Sequence, residues 1–440
     1  RILVLEDTKV TGGVQGRLIN ISEEGVCISS SEVLQKKSYS LSVTLSGEKV
    51  SFPIKIMWCE LDNEKKQFLC GARIEKIKKS DLAIIRKYMV TKQFEYVAKN
   101  VSDKDKRKEI LVFAKEVRDY LINLINLRKS LQKIDVCESE IQKKVTNLSH
   151  EIVQKGEDLR KKISDEKLIL RIKDVFRALV SAWVFKSKIM YRGLSKPKGY
   201  PGDYETLELI YDNMPVSLKN YDLGYYFDIS FLNNPYANAV RERKNKLREI
   251  IEILFKEKSD PINILNLACG GCKEIRDICS EDRKKITKKE VFFNCLDWDK
   301  DALDFSKEQL KNAPKNFHIS FLEENILSFI RKTDFFEKRG KQDLIYSIGL
   351  ADYFSDRILK TMIKSSFNGL KTGGHFIIAH KDKDLSFSHI PPEWFCDWTF
   401  CQRNEQDLLE IIESLKMKNV RVEKDRDKTG DVFFYILTKE

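Results

Sequence analysis

The chain has 440 residues, a length that predicts two or three domains, and its hydrophobic content of 42% is sufficient for buried cores. It contains no uninterrupted apolar run of about eighteen residues, which argues against a transmembrane segment. The net charge of +12 could attract an anionic partner, but the many acidic neighbours and the lack of interleaved aromatic residues argue against long nucleic acid.

Ten cysteines are spread along the chain, many of them in strand-like apolar runs where a free thiol packs as a small hydrophobic group. This usage predicts a reducing compartment, and we expect a cytoplasmic protein. Cys269 and Cys272 have the spacing of metal ligands, but no second cysteine pair or histidine cluster accompanies them. We therefore expect no metal site.

Residues 1–95 predict a small antiparallel β-barrel. Short segments of alternating apolar and polar residues, such as 39–45 and 50–58, are separated by turns rich in Gly, Ser and Asn. A helix over 80–89 should follow the barrel, with Ser80 as its N-cap.

Within this region, Asn20-Ile-Ser-Glu-Glu-Gly25 resembles the Asn/Asp-x-Ser-x-x-Gly motif of PilZ domains, the bacterial receptors for cyclic di-GMP. The resemblance implies cyclic di-GMP as a regulatory ligand, with Asn20, Ser22, Gly25 and Arg1 as contact residues. The paired arginines that precede the first strand in this family are missing: they either lie upstream of Arg1 or are absent from the protein. In their absence the motif could serve only as a tight turn of the barrel.

Residues 96–180 predict a helical linker or bundle. The segment is charged and nearly free of Gly and Pro, and apolar residues recur three and four positions apart, as at Ile110, Phe113 and Val117. Such a bundle could form a homodimer.

Residues 181–260 predict a helical cap or substrate region. A loop over 191–204 is dense in Tyr, Gly and Pro, so that Tyr200, Asp203 and Tyr204 either contact a ligand or fill a packed connector. On the helix that follows, Arg241 or Arg243 could pair with a substrate carboxylate, although a solvent-facing basic helix is an equally simple interpretation.

Residues 261–440 predict an α/β Rossmann-like domain. An apolar strand over 262–267 ends in small residues and turns at once into a helix, which suits close contact with an adenosine-containing cofactor. The next strand ends at Asp297, where a carboxylate can accept both ribose hydroxyls. Three further strands and a terminal hairpin should complete the sheet.

This succession resembles class I S-adenosylmethionine-dependent methyltransferases. Their glycine-rich motif is altered here, because Asn266, Ala268 and Cys272 replace an acidic residue and two glycines, while Gly270 is kept. The resemblance implies S-adenosyl-L-methionine as cofactor. The residues expected to bind it are Asn266, Ala268, Cys269, Gly270, Asp297, Trp298, Asn325, Ile326 and Ser347. A Rossmann-like fold that has lost its cofactor is the alternative.

Segments 198–204, 235–243, 346–353 and 397–403 together resemble the bacterial enzymes that make 3-hydroxy-fatty-acid methyl esters. The resemblance implies an acyl carboxylate as methyl acceptor, with Arg403 among the substrate residues. A carboxylate is already ionised and needs no general base, whereas an alcohol or amine would need one, for which His380, Tyr353 and Asp203 are the candidates.

The sequence therefore predicts a cyclic di-GMP-regulated methyltransferase that acts on a small acidic, fatty-acyl acceptor. Two alternatives stay open: a non-catalytic cyclic di-GMP receptor with a degenerate methyltransferase fold, and methylation of a macromolecule bound through the basic surface.

Overall fold

The computed structural model describes residues 2–10, 14–22, 24–45, 47–62, 66–131, 137–219, 222–280, 287–331, 335–384 and 390–440. The chain divides into two compact units, Arg1–Ala182 and Trp183–Glu440. Arg1, one of the predicted cyclic di-GMP contacts, lies outside the described residues.

Six antiparallel strands form a closed barrel at the start of the first unit, which confirms the predicted fold. They are β1 (Ile2–Val10), β2 (Val14–Ile21), β3 (Gly25–Ser30), β4 (Ser38–Leu45), β5 (Glu48–Asp62) and β6 (Gln67–Ile74), in the order β1-β2-β3-β6-β5-β4. Alternate residues of β5, from Val50 to Ile56, are buried in the barrel core, as the period of a strand requires.

Cys59 and Cys70 lie opposite each other on β5 and β6 and form a disulfide bond. The expectation that the cysteines are free thiols is therefore wrong for this pair. The other eight cysteines are free. The pairing follows from strand register, which places the two side chains on the same face of the barrel.

Four helices complete the first unit. They are α1 (Lys79–Lys99), α2 (Lys104–Ser130), α3 (Glu138–Ile163) and α4 (Glu166–Val184), of which α4 extends across the boundary between the units. The helix α1 begins at Lys79 with Lys78 as N-cap and no capping side chain, so the prediction of Ser80 as N-cap is wrong. On α2, the predicted inner residues Ile110, Phe113 and Val117 are buried, since their spacing keeps them on one face.

The second unit opens with four helices before its sheet. They are α5 (Lys188–Ser195), α6 (Tyr204–Asp212), α7 (Gly224–Leu232) and α8 (Pro235–Glu257). The buried Asp228 carboxylate accepts hydrogen bonds from the Ser187 hydroxyl at 2.6 Å and from the backbone N–H groups of Val216 and Ser217. This carboxylate joins α7 to the start of α5 and to the segment that precedes α7.

A seven-stranded sheet with helices on both faces forms the core of the second unit. Its strands are β7 (Ile262–Leu267), β8 (Val291–Asp297), β9 (Phe317–Glu323), β10 (Gln342–Ser347), β11 (Leu370–Lys381), β12 (Val420–Arg426) and β13 (Val432–Lys439), in the order β12-β13-β11-β10-β7-β8-β9. The first five strands are parallel, and the β12-β13 hairpin pairs antiparallel with β11. This is the predicted Rossmann-like fold.

Two apolar clusters, one on each face of the sheet, hold its helices. The elements after β7 that contribute to these clusters are α9 (Lys273–Cys279), α10 (Lys300–Gln309), α11 (Ile326–Phe329), α12 (Phe335–Arg339), a 3₁₀ turn (Ala351–Tyr353), α13 (Asp356–Asn368) and α15 (Glu405–Glu413). The short helix α14 (Ile390–Cys396) packs against α5. The strand order reverses at β7, between β8 and β10. Ligands of open α/β sheets bind at such a switch point, beyond the carboxyl ends of the strands.

None of the helices in the described part of the chain is long and apolar enough to cross a membrane.

The Trp58 indole packs directly on Gly71, where an added Cβ would lie 2.2 Å from the ring. We expect Gly71→Ala to lower the free energy of unfolding of the first unit by about 1–3 kcal/mol, because the indole must move. Urea titration followed by circular dichroism measures this loss. In a Trp58→Ala background the same methyl group should cost less than about 1 kcal/mol; an undiminished cost there would contradict the packing explanation.

Candidate active site

The turn between β7 and α9 alternates left-handed and ordinary backbone conformations. Ala268, Gly270 and Cys272 have φ angles of 57°, 49° and 49°. For Ala268 and Cys272 this conformation costs about 1–2 kcal/mol each, which explains why related motifs favour glycine at these positions. The turn is held by the Ser306 hydroxyl, which donates to the Gly270 carbonyl at 2.9 Å.

Asp297 fastens this turn to the end of β8. Its Oδ2 accepts a hydrogen bond from the Gly270 N–H at 2.8 Å, and its Oδ1 accepts one from the Asp299 N–H at 3.0 Å. The carboxylate is 6% exposed, and burial raises its pKa. Each oxygen retains a second lone pair, so the group can still accept ligand hydroxyls.

Asn266 stands where the methyltransferase motif has an acidic residue, but a carboxylate lies beside it. The Asn266 amide donates to Glu274 Oε1 at 2.8 Å, and the Tyr346 hydroxyl donates to the same atom at 2.7 Å. Burial raises the pKa of Glu274 to about 7. The acidic group of this region is therefore supplied by α9 instead of β7.

A cavity of about 400 Å³ opens at the carboxyl ends of β7, β8, β9 and β10, within the usual range for small-ligand sites. Predicted cofactor residues and predicted substrate or catalytic residues line it together. From the first group these are Ala268, Gly270, Asp297, Trp298, Asn325 and Ile326, and from the second they are Tyr200, Tyr204 and Tyr353.

Three predicted cofactor residues do not line this cavity. Asn266 is turned towards Glu274 as described, and the Cys269 thiol is buried in the core beneath the turn. Ser347 is fully buried at the end of β10, where its hydroxyl has no hydrogen-bond partner among the described residues.

Two of the predicted substrate residues are bound to the protein itself, away from the cavity. Asp203 is fully buried, pairs with Arg192 at 2.7 Å and caps α6 by accepting from the Thr206 N–H. Arg241 donates to the backbone carbonyls of Ile210 and Leu232. Neither is placed to contact a ligand in the cavity.

The remaining two predictions, Arg403 and His380, also fall outside the lining. Arg403 pairs with Asp356 at 2.6 Å and donates to backbone carbonyls of the 3₁₀ turn region. His380 is 1% exposed, with Nδ1 2.7 Å from the Lys381 carbonyl and Nε2 3.3 Å from Arg403. Both ring nitrogens are engaged, so His380 is not placed to abstract a proton from a ligand.

Several lining residues were not singled out in the sequence: Tyr236, Glu324, Asp352, Trp398 and Phe400. Four of them lie inside the segments that carry the ester-synthase resemblance, which was the available signal. Of the two arginines proposed on α8, the structure places Arg243 at the cavity.

Aromatic side chains form one wall of the cavity. Ring centroids lie 5.0 Å apart for Tyr236 and Trp398 and 5.7 Å apart for Tyr353 and Phe400, and Trp398 Nε1 donates to the Tyr353 hydroxyl at 2.7 Å. Burial raises the pKa of Tyr353, so this hydroxyl keeps its proton at neutral pH and is poorly suited to act as a base. The loop between α5 and α6 packs against this wall at Gly202, where a Cβ would lie 2.9 Å from both Trp398 and the Tyr353 hydroxyl.

A larger surface depression, of about 900 Å³, lies beside α13 and α15. Four of the charged side chains around it form ion pairs, Arg403 with Asp356 and Lys383 with Asp407. It lies away from the glycine-rich turn, and we assign the candidate site to the smaller cavity.

In the barrel, the predicted nucleotide motif forms a tight turn between β2 and β3. The Ser22 hydroxyl accepts a hydrogen bond from the Gly25 N–H at 3.1 Å and also contacts the Gly25 carbonyl. Gly25 lies so close to β6 that a Cβ would be 2.8 Å from the Ala72 carbonyl. Asn20, half-buried on β2, pairs with Cys27 next to this turn.

The family model of the PilZ domain matches residues 3–90. The barrel is a PilZ domain. The match ends within α1, so the PilZ domain comprises the six strands and the first half of that helix.

No curated protein gives a significant match to the sequence. Among solved structures, a possible exported protein from Bordetella parapertussis is similar over 74% of this chain and 96% of its own, with 15% identity and a TM-score of 0.41. Magnesium protoporphyrin IX methyltransferase from Synechocystis PCC 6803, solved with bound S-adenosylmethionine, is 8% identical over 47% of this chain and 84% of its own, with a TM-score of 0.33. An N-methyltransferase from Bradyrhizobium japonicum WM9 is 14% identical over 45% of this chain and 97% of its own, with a TM-score of 0.30.

The contact between Asn266 and Glu274 generates a prediction on pH dependence. Because the pKa of Glu274 is higher in the folded protein (about 7) than its ordinary value of 4.5, its contribution to stability is present below pH 4.5 and lost as the pH rises through 7. Asn266→Asp removes a donor and adds a like charge, so we expect a loss of about 2 kcal/mol at pH 8.5 and a smaller loss at pH 5.5, where Glu274 is protonated.

Thermal unfolding of the variant and the parent protein at both pH values measures this difference. The exchanged pair, Asn266→Asp with Glu274→Gln, restores one donor and one carboxylate and should recover most of the stability. An equal loss at both pH values would show that charge repulsion is not the cause.

Proposed function

We propose that the protein is an S-adenosylmethionine-dependent methyltransferase that acts on a small acidic, fatty-acyl acceptor and is regulated by cyclic di-GMP bound to its PilZ domain. The observation that carries the proposal is the cavity at the switch point of the sheet, where the Gly270 turn and the Asp297 carboxylate meet.

The lining residues fit the cofactor in shape and charge. Asp297 would accept the ribose hydroxyls, Asn325 and Ile326 would contact the adenine, and the backbone of the turn would lie along the methionine part. The carboxylates of Asp297 and Glu324 give this side of the cavity a negative character suited to a sulfonium. The bound cofactor supplies an activated methyl group.

The chain's own contribution to the reaction would be alignment and exclusion of water. The wall of Tyr236, Tyr353, Trp398 and Phe400 offers a dry surface against which an apolar acceptor can be held. His380 is engaged with its neighbours, and Tyr353 keeps its proton. Neither of these two predicted bases is therefore placed to act, which favours an acceptor that is already ionised, such as a carboxylate.

Asp297→Ala tests the cofactor site. We expect the parent protein to bind S-adenosylmethionine in calorimetry and the variant to bind it at least about tenfold more weakly, because two ribose hydrogen bonds to a charged acceptor are lost. Asp304→Ala, an exposed carboxylate on α10, is the matched control and should bind normally. Mass spectrometry of a lipid extract incubated with the protein and labelled cofactor then identifies the product. Absence of binding at millimolar cofactor would favour a degenerate domain.

The PilZ domain is tested in the same way with cyclic di-GMP. Asn20→Ala should weaken binding of the dinucleotide by about tenfold, because the amide would read a guanine edge or a phosphate, whereas Gln15→Ala, exposed on the same strand, should not. A change of methylation rate on adding the dinucleotide requires that it bind the active and inactive states differently. If the parent protein shows no heat of binding, the regulatory part of the proposal is wrong.

A further inference from the structure

Arg243 differs from the other arginines near the cavity because its charge is not satisfied by the protein. Its side chain lines the cavity, is 8% exposed and donates no hydrogen bond to any residue in the described part of the chain. Its nearest carboxylate is that of Asp352, with Nη1 3.7 Å from Oδ2, beyond the length of a hydrogen bond. Arg192, Arg241 and Arg403 are by contrast fully engaged.

One oxygen of the Asp352 carboxylate is committed elsewhere. Its Oδ1 accepts from the Lys381 N–H at 3.1 Å and lies 3.3 Å from His380 Nδ1. A buried guanidinium with five donors and one loose ion pair is costly, because charge removed from water is stable only when it is paired and hydrogen-bonded. The unused donors of Arg243 therefore indicate a ligand group of opposite charge.

The space around the guanidinium is kept open by a glycine. Gly349 follows β10 and lines the same cavity, and a Cβ at this position would come within 3.0 Å of Arg243 Nη2. Any side chain at residue 349 would press on the guanidinium and cover the face that it turns towards the cavity.

A buried amine lies behind the aromatic wall. Lys381 Nζ is buried without a hydrogen-bond partner among the described residues and lies 4.1 Å from the centre of the Tyr236 ring and 5.4 Å from that of Phe400. Burial lowers the pKa of this amine to about 7, so Arg243 supplies the full positive charge at this end of the cavity, with the Asp352 carboxylate beside it.

We propose that Arg243 binds the carboxylate of the methyl acceptor in bidentate fashion, and that Tyr236, Trp398 and Phe400 hold the apolar body of the same molecule. The acceptor class is thus a monocarboxylate with an apolar body. This inference rests on the proposed methyltransferase function. In the reaction, a carboxylate oxygen forms the new bond to the methyl carbon while the methyl–sulfur bond breaks and leaves its electron pair on sulfur. The products are a methyl ester and S-adenosylhomocysteine, and no proton is transferred.

The test uses the full chain saturated with S-adenosylhomocysteine and two probes of equal chain length, sodium decanoate and 1-decanol. The parent protein should bind decanoate at least about tenfold more tightly than decanol in ligand-observed NMR titrations, because the carboxylate makes charge-assisted hydrogen bonds. Arg243→Gln should abolish this preference while it changes S-adenosylhomocysteine affinity by less than about threefold. Arg248→Gln removes the same charge from the same helix outside the cavity and should behave as the parent does.

Gly349→Ala gives an independent variant that retains the arginine. Its methyl group should displace the guanidinium and lower decanoate affinity by about fivefold or more, with decanol affinity little changed. This variant carries the test if Arg243→Gln does not fold.

The outcomes separate the two proposals. If the parent protein does not bind S-adenosylhomocysteine, the proposed function fails. If it binds this compound but holds decanoate and decanol equally, or if Arg243→Gln keeps the preference for decanoate, the role of Arg243 is overturned while the proposed function stands.

Discussion

The hydrogen bond from the Gly270 N–H to the Asp297 carboxylate is the contact on which the candidate site depends. It joins the first turn of the Rossmann-like sheet to the end of the neighbouring strand, and so fixes the floor of the cavity. The turn is strained at Ala268 and Cys272, whose backbones lie in the left-handed region, and without this anchor it would have little reason to keep that shape. The same carboxylate retains lone pairs that face the cavity, so one group serves both the architecture and the proposed binding of a ribose.

The fold of both units could be predicted from the sequence because it depends on local patterns. Alternating residues in β5 and the apolar run of β7 each imply a strand and its buried face, and the small residues after β7 imply the turn. Details that depend on distant partners could not be predicted. The disulfide between Cys59 and Cys70 follows from the register of two strands, and α1 begins without the serine cap that its sequence offered.

The roles of residues in the candidate site also depend on partners that are distant in sequence. In sequence, Arg241 and Arg243 are neighbours of equal chemistry on one helix. Only residues distant in sequence distinguish them. Arg241 donates hydrogen bonds to the carbonyls of Ile210 and Leu232, whereas Arg243 lines the cavity. The acidic residue missing from position 266 likewise reappears as Glu274, eight residues later, because a helix turns it back towards β7. The fold can therefore keep a carboxyl group at this place although the motif position itself no longer supplies one.

Gly202 limits the substitutions that this protein can accept during evolution. The loop that carries it lies against Trp398 and Tyr353 with no room for a methyl group. A larger residue at 202 is compatible with this closed arrangement only if the indole or the phenol becomes smaller as well. Among descendants of this chain, we expect the three positions to vary as a set: glycine where the two large rings persist, and bulkier residues only in lineages that have lost one of the rings.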